Sequence, residues 1–418
     1  MRNMTIDGDR LWSTLMETAA FGGTPKGGIR RLSLTDEDKL VRDWFAKACR
    51  AAGCSVTIDR LGNMFARRPG QIDTLPPICI GSHLDTQPTG GKFDGVLGVL
   101  AGLEVLRTLE DAGYRTNAPI EVVNWTNEEG SRFAPAMLAS GAYAGVFDVP
   151  SVLARKDAAG ISIEAELERI GYAGDQPVGG RPISAMFELH IEQGPILDAE
   201  ELDIGIVTGV QAMRWYELVL TGSDAHAGST PMTMRRDALV AASDIVRLVR
   251  DVALAHAPLG LGTVGLIEAR PGSRNVIPGE VFLTIDLRHP SDDVLERMEA
   301  ELLDRARTLA AAAGIGLRSE RIWKAPAIAF DPALNQHVRA TVERLRLSHR
   351  EIVSGAGHDA ANIAKVAPTT MIFVPCRDGI SHNEAEDTSP KACADGAAAL
   401  LGAVLSFDAT LQAGAPTA

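Results

Sequence analysis

The run "ICIGSHLDTQPTGGKFDG", Ile78 to Gly95, sets a short apolar segment directly against a loop, His83 to Gly95, that holds one histidine, two aspartates and three glycines. The apolar part reads as the end of a buried strand, and the glycine-rich part as a turn into the helix that follows. That helix is predicted over 96–109, where Val96, Val99, Leu100, Leu103 and Leu106 recur with helical period. The same order returns three times. "IEVVNW" (120–125) leads into "TNEEG", "ISAMFELHIEQGP" (183–195) repeats the arrangement, and so does "TTMIFVPCRDGISHNE" (369–384). Repeated strand, polar loop and helix predict an α/β fold whose sheet is mainly parallel and flanked by helices.

Between those segments the rhythm changes. "WYELVLTGSDAH" (215–226) alternates as a strand, a helix is predicted over 236–255, and "LGTVGLIEARPG" and "VFLTIDLRHP" read as two more strands. A helix over about 293–313 and a strand at "GLRSERI" complete a β-α-β-β-α-β block. This pattern predicts a small antiparallel, ferredoxin-like α+β domain with two helices on one face. It occupies 213–328 and is inserted into a first domain made of 1–212 and 329–418. Near the N-terminus, Thr35 is a candidate cap for a helix over 35–52.

The 418 residues are enough for two cores, and 45% hydrophobic with 23% charged residues is ordinary for a globular enzyme. The net charge of −13 repels phosphate backbones and anionic membrane surfaces, so nucleic-acid and membrane partners are not expected. It leaves room for a small anionic substrate, because one arginine can outweigh a diffuse field. Cys49, Cys54, Cys79, Cys376 and Cys393 are scattered without metal-type pairing and read as reduced, buried thiols. "MRNMTIDGDRLW" lacks the apolar core of a signal peptide, and "AAALLGAVLSF" is shorter than the roughly 18 residues of a membrane helix. A cytoplasmic location is expected.

In a parallel sheet the loops at the carboxyl ends of the strands converge on one crevice. Four such ends carry polar residues: His83, Asp85 and Asp94; Glu128 and Glu129; His190 and Glu192; His382 and Glu384. Singly each has an ordinary explanation, a turn histidine or a solvated helix start. Together they predict a metal site. Imidazole and carboxylate without thiolate suit Zn²⁺, Mn²⁺, Co²⁺ or Ni²⁺, and Asp94 could bridge two ions about 3.5–4 Å apart. Asp85 is expected to accept the other N–H of His83 and fix its tautomer. The glycines of "TGGKFDG" are expected to turn the chain so that Asp94 returns beside His83. Of the adjacent pair Glu128–Glu129, one carboxylate can ligate while the other serves as proton acceptor.

"GSHLDT", "GGKFDG", "NEEG", "HIEQGP" and "SHNEAED" resemble, in that order, the dinuclear metal amidohydrolases of the M20 peptidase superfamily. More narrowly they resemble its branch of N-carbamoyl-L-amino acid hydrolases, β-ureidopropionases and allantoate amidohydrolases. The resemblance spans nearly the whole chain and implies a zinc-exopeptidase-like catalytic domain with an inserted lid or dimerisation domain. It implies that His83, Asp94 and His190 hold one divalent ion, that Asp94, Glu129 and His382 hold a second, and that Glu128 is the general base. It also implies that His226, in "GSDAHAGSTPM", polarises the scissile carbonyl in the site of a partner subunit, hence a homodimer. Asn275 in "SRNVIPG" and Arg288 in "IDLRHP" match positions that hold a substrate carboxylate, Gln193 fits a contact to the same ligand, and Gly357 and His358 lie in a glycine-rich substrate loop. The implied substrate is a small carbamoyl or ureido compound bearing a carboxylate, and the implied reaction is hydrolysis of its ureido C–N bond.

Overall fold

The computed structural model describes residues 4–411. It divides into two compact units, Met1–Gly209 with Ala329–Ala418 and Val210–Ile328. Strands β1 (Ser55–Ile58), β2 (Met64–Arg68), β3 (Ile78–His83), β4 (Ile120–Trp125), β5 (Ala185–Ile191) and β6 (Ile204–Val210) precede the second unit. Strands β7 (Ala212–Thr221), β8 (Ala225–His226), β9 (Leu261–Arg270), β10 (Val276–Ile277), β11 (Glu280–His289) and β12 (Gly316–Ala325) build it. Then β13 (Ile328–Ala329), β14 (His349–Ser354) and β15 (Thr369–Val374) complete the first sheet.

Among the described residues the first sheet has nine strands in the order β1-β2-β4-β3-β5-β15-β6-β13, with β14 on β6. Its middle, β4-β3-β5-β15, is parallel throughout. The outer strands join antiparallel, β2 on β4 and β6 on β15. β3, β4, β5 and β15 are buried along their whole length, as strands covered on both faces are. The register sets His83 beside Trp125 and Val374 beside Ile191, so these strands end nearly level. The loops that leave them therefore start from one rim.

Helix Val96–Asp111 packs on β3, β4 and β5. It matches the helix predicted over 96–109 and runs two residues further. Helix Asp36–Ala51 starts where Thr35 caps it, the Thr35 side chain accepting from the Asp38 amide. The final helix, Pro390–Asp408, is apolar nearly all round and is buried between neighbours, so "AAALLGAVLSF" is core.

The second unit is built on a four-stranded antiparallel sheet in the order β12-β7-β11-β9. Helices Ala238–Ala255 and Asp292–Ala312 pack against it and against each other. Along β11, Val281, Leu283, Ile285 and Leu287 point into this core, while the alternate residues are half-buried on the other face. The strand expected to run to His226 stops at Thr221, and Ala225–His226 instead pairs with Val276–Ile277 in a separate two-stranded ribbon. Proline at 278 and glycines at 222 and 279 punctuate that switch. All five cysteines are buried free thiols. No helix among the described residues is long and apolar enough to cross a membrane.

Candidate metal centre

β3 delivers His83 at its last residue, and β5 delivers His190 one residue before its end. Between them Asp94 returns from the loop, held by its neighbours. Phe93 is buried and stacks on Trp12 with ring centroids 5.6 Å apart, which pins the chain one residue before the carboxylate. Gly95 then enters the helix with φ 69°, and a Cβ there would lie 2.3 Å from the His83 ring. Gly91 is required for a different reason than the expected turn: a Cβ on it would lie 2.2 Å from the Glu386 carboxylate. At these two positions the glycines of the loop make room as much as they bend the chain.

The two oxygens of Asp94 face different partners. Oδ1 lies 3.2 Å from His190 Nε2 and 3.7 Å from His83 Nε2, whereas Oδ2 lies 3.3 Å from His382 Nε2. His382 Nε2 is in turn 3.6 Å from Glu129 Oε2. Thus His83, Asp94 and His190 form one group, and Asp94, Glu129 and His382 a second, with the donor atoms of each group within 4.8 Å of one another. A third such group, Glu188, His190 and His358, shares His190. Glu128 belongs to none of them but stands 3.5 Å from His83 Nε2.

The charges are poorly balanced by the protein alone. Burial pushes Glu128 well up, and Asp359, Glu129, Asp94 and Asp85 push it further. Glu129 is likewise raised by burial and by Asp94 and Asp85, and its Oε1 is buried with no hydrogen-bond partner among the described residues. Burial opposes ionisation of Asp94 too, but hydrogen bonds from His190 and His382 hold it well below the usual carboxylate range. Burial lowers His190, yet Asp94 and Glu188 carry it up to about 9. His83 is driven to about 4 by burial despite the attraction of Asp94. A knot of buried acids and imidazoles with an orphaned carboxylate oxygen fits divalent cations, and the oxygen and nitrogen donors suit zinc, manganese, cobalt or nickel.

Asp85 departs from its expected role. The His83 Nδ1 partner is the Asp85 backbone carbonyl at 2.9 Å, while the carboxylate is 3.9 Å away. That carboxylate instead accepts the backbone N–H groups of Glu128 and Glu129, each at 3.3 Å. A two-residue spacing cannot foretell this, because the chain bends after His83 and the side chain swings towards the next strand's loop. Behind it, Arg42 reaches the Thr126 hydroxyl at 3.3 Å and pairs with buried Asp38 at 2.8 Å. Other contributors, to which the sequence assigned no role although Ser381 and Glu386 lie inside "SHNEAED", are Gln87, 2.6 Å from Glu129 Oε2, Ser381, 3.1 Å from Asp94 Oδ2, and Glu386. Their partners at the site lie on other strands' loops, so local sequence does not reveal what they do. Asn127, Gln193 and His382, one on each of three loops, take the left-handed backbone at φ 59°, 56° and 55°. Non-glycine residues there carry strain of the kind that gathers at functional sites.

Gln193 donates to Asp94 Oδ2 at 2.9 Å and to Ser381 at 3.1 Å. His358 is buried edge-on to His190, 4.6 Å between centroids, with its Nε2 2.9 Å from the Ser354 hydroxyl. Gly357 is half-buried beside Met137. In the second unit His226 is exposed, and its Nδ1 accepts from the amides of Gly228 and Ser229 at 3.0 and 3.2 Å. A neutral ring with Nδ1 as acceptor carries its proton on Nε2. Asn275 sits across the ribbon, its carbonyl 2.9 Å from the Ala227 amide. Arg288 forks onto Asp286, two residues back on β11, with Nε 3.0 Å from both carboxylate oxygens.

The profile of Peptidase family M20/M25/M40 matches residues 79–406. The chain belongs to that family. Members of the M20 family are typically dinuclear metal enzymes, and this chain has the donor groups to be one. It is 51% identical over 403 residues, 96% of this chain and 97% of the other, to the N-carbamoyl-L-amino-acid amidohydrolase of Rhizobium meliloti. It is 35% identical to the allantoate amidohydrolase of Bacillus subtilis, covering 91% of this chain and 93% of that protein. A solved structure of an amidase of the hydantoinase/carbamoylase family from Burkholderia multivorans superposes with a TM-score of 0.95 at 57% identity, covering 97% and 98% of the two chains.

Proposed function

We propose that this M20 hydrolase cleaves the ureido C–N bond of N-carbamoyl-L-amino acids, giving the L-amino acid, carbon dioxide and ammonia. It acts on non-peptide C–N bonds of linear amides, the chemistry named for its 51% identical relative. The observation that carries the reading is the divided Asp94, one oxygen towards His83 and His190 and the other towards His382 and Glu129, with Glu128 left outside both groups.

His83, Asp94 and His190 would hold one divalent ion, and Asp94, Glu129 and His382 the other. When bound, such a pair supplies Lewis-acid polarisation of the ureido carbonyl and acidifies the attacking water. Glu128 takes the proton of that water as it adds to the carbonyl carbon, and Asp85 orients Glu128 through its backbone amide. His226, with its proton on Nε2, donates to the developing oxyanion, a contribution typically worth about 10²–10³ in rate. We read the protein as a homodimer in which His226 serves the partner subunit. The C–N bond to the amino acid then breaks, its nitrogen takes the proton from Glu128, and the carbamic acid released splits into carbon dioxide and ammonia. Arg288 and Asn275 would grip the substrate carboxylate, with Gln193 as a further contact.

The test is a substrate panel after loading with Mn²⁺, Co²⁺, Ni²⁺ or Zn²⁺: carbamoyl-α-amino acids of both hands, carbamoyl-β-alanine, allantoate and a dipeptide. Turnover of the L-carbamoyl compounds, lost on chelation and restored by metal, is expected. Dipeptide cleavage without ureide cleavage would overturn the reading. The 35% identity to an allantoate amidohydrolase favours one second reading, allantoate as the ureide, and the same panel decides between them.

A further inference from the structure

We propose that Glu386 is a positioning residue that clasps the Asp94 loop to the His382 loop and so sets the geometry of the second metal group; this rests on the metal reading above. Glu386 is buried, and its Oε1 accepts the backbone N–H groups of both Phe93 and Asp94 at 3.0 Å, across 293 and 292 residues of sequence. Its Oε2 lies 3.2 Å from the Ser381 hydroxyl, which is itself 3.1 Å from Asp94 Oδ2. The absence of a side chain at Gly91 is what lets the carboxylate lie across the loop.

The clasp matters because the two groups are supported unequally. His83 and His190 sit on buried strands, whereas the His382 side chain is 52% exposed and its backbone is left-handed. Neither packing nor intrinsic preference holds His382 in place, so its position depends on what ties its loop down. The Ser381–Glu386 contact, one residue before it, supplies that tie to the backbone of the bridging aspartate.

Stepwise Co²⁺ or Zn²⁺ titration against a chromophoric chelator tests this on the full-length protein, with hydrogen exchange at Phe93 and Asp94 of the metal-free protein as a second readout. Glu386→Ala is expected to weaken one of the two ions about 10–100-fold, the range for lost supporting contacts, with the other changed much less. The amides of Phe93 and Asp94 should exchange faster. Glu386→Gln keeps an oxygen for both amides and should restore both properties; Ser381→Ala should act like the alanine variant but more mildly. Wild-type affinity for both ions in Glu386→Ala would overturn the clasp, as would equal loss of both ions with no rescue by glutamine. If the wild-type protein bound fewer than two ions, the metal reading would fall. Unchanged exchange at Phe93 and Asp94 would still overturn the clasp by itself.

Discussion

His190 and His226 are both histidines at strand ends, yet they are held in opposite ways. His190 is buried, and the groups around its Nε2, the Asp94 carboxylate at 3.2 Å and the Gly95 amide at 3.1 Å, come from a loop far away in sequence. His226 is exposed, and the hydrogen bonds to its ring come from the amides of Gly228 and Ser229, two and three residues on. The ring of the first is fixed by the whole fold, the ring of the second by its own turn. Damage should therefore spread in the first region and stay local in the second.

The largest effect should come from Asp94→Ala, because that side chain belongs to both donor groups. Loss of both ions in metal analysis, with turnover at background, is the expected result. Retention of one tightly bound ion would mean that the two groups are independent. Glu128→Gln comes next: general bases are worth about 10²–10⁴ in rate. Since Glu128 lies outside both groups, the variant should keep two ions and its thermal stability while kcat falls by that factor. Full activity would remove Glu128 from the chemistry.

His226→Ala sharpens the contrast. Loss of an oxyanion donor should lower kcat about 10²–10³-fold, yet stability should change by no more than about 0.5 kcal/mol, as for exposed residues generally. His190→Ala, in the buried region, should cost both stability and metal. If His226→Ala unfolded or lost metal as His190→Ala does, the distinction between the two regions would fail.

The same divide governs what could be read from the sequence. Local signals carried far: the period of Val96–Leu106, the Thr35 cap and the alternation along β11 each depend on neighbours in the chain. The candidate donors that the first unit brings together were legible because histidines and acids are unusual company for the ends of buried strands. Edge strand β1 and its neighbour β2 were not, since "SVTI" and "MFARR" are short and the second ends in two arginines. The final helix gave no stripe to detect because it is apolar on almost every side. The direction of the Asp85 carboxylate and the clasp of Glu386 were invisible for another reason: their partners are backbone amides from other loops, and an amide has no letter in the sequence. Such supports can be found only once the strands are in register.

The smallest effect concerns Arg288. Its guanidinium already faces Asp286 on the same side of β11, and both side chains are about a quarter exposed, 26% and 27%. A partly exposed pair of this kind is worth at most about 1 kcal/mol, so a substrate carboxylate in the right place can compete for the fork. Arg288→Lys keeps the charge but loses the planar pair of donors. One charge-assisted hydrogen bond of about 1.5 kcal/mol corresponds to roughly a tenfold rise in KM, and kcat should hold, as expected of a contact made equally in ground and transition states. Asp286→Asn removes the competitor and should lower KM. If both variants left KM unchanged, Arg288 would have no part in binding the substrate.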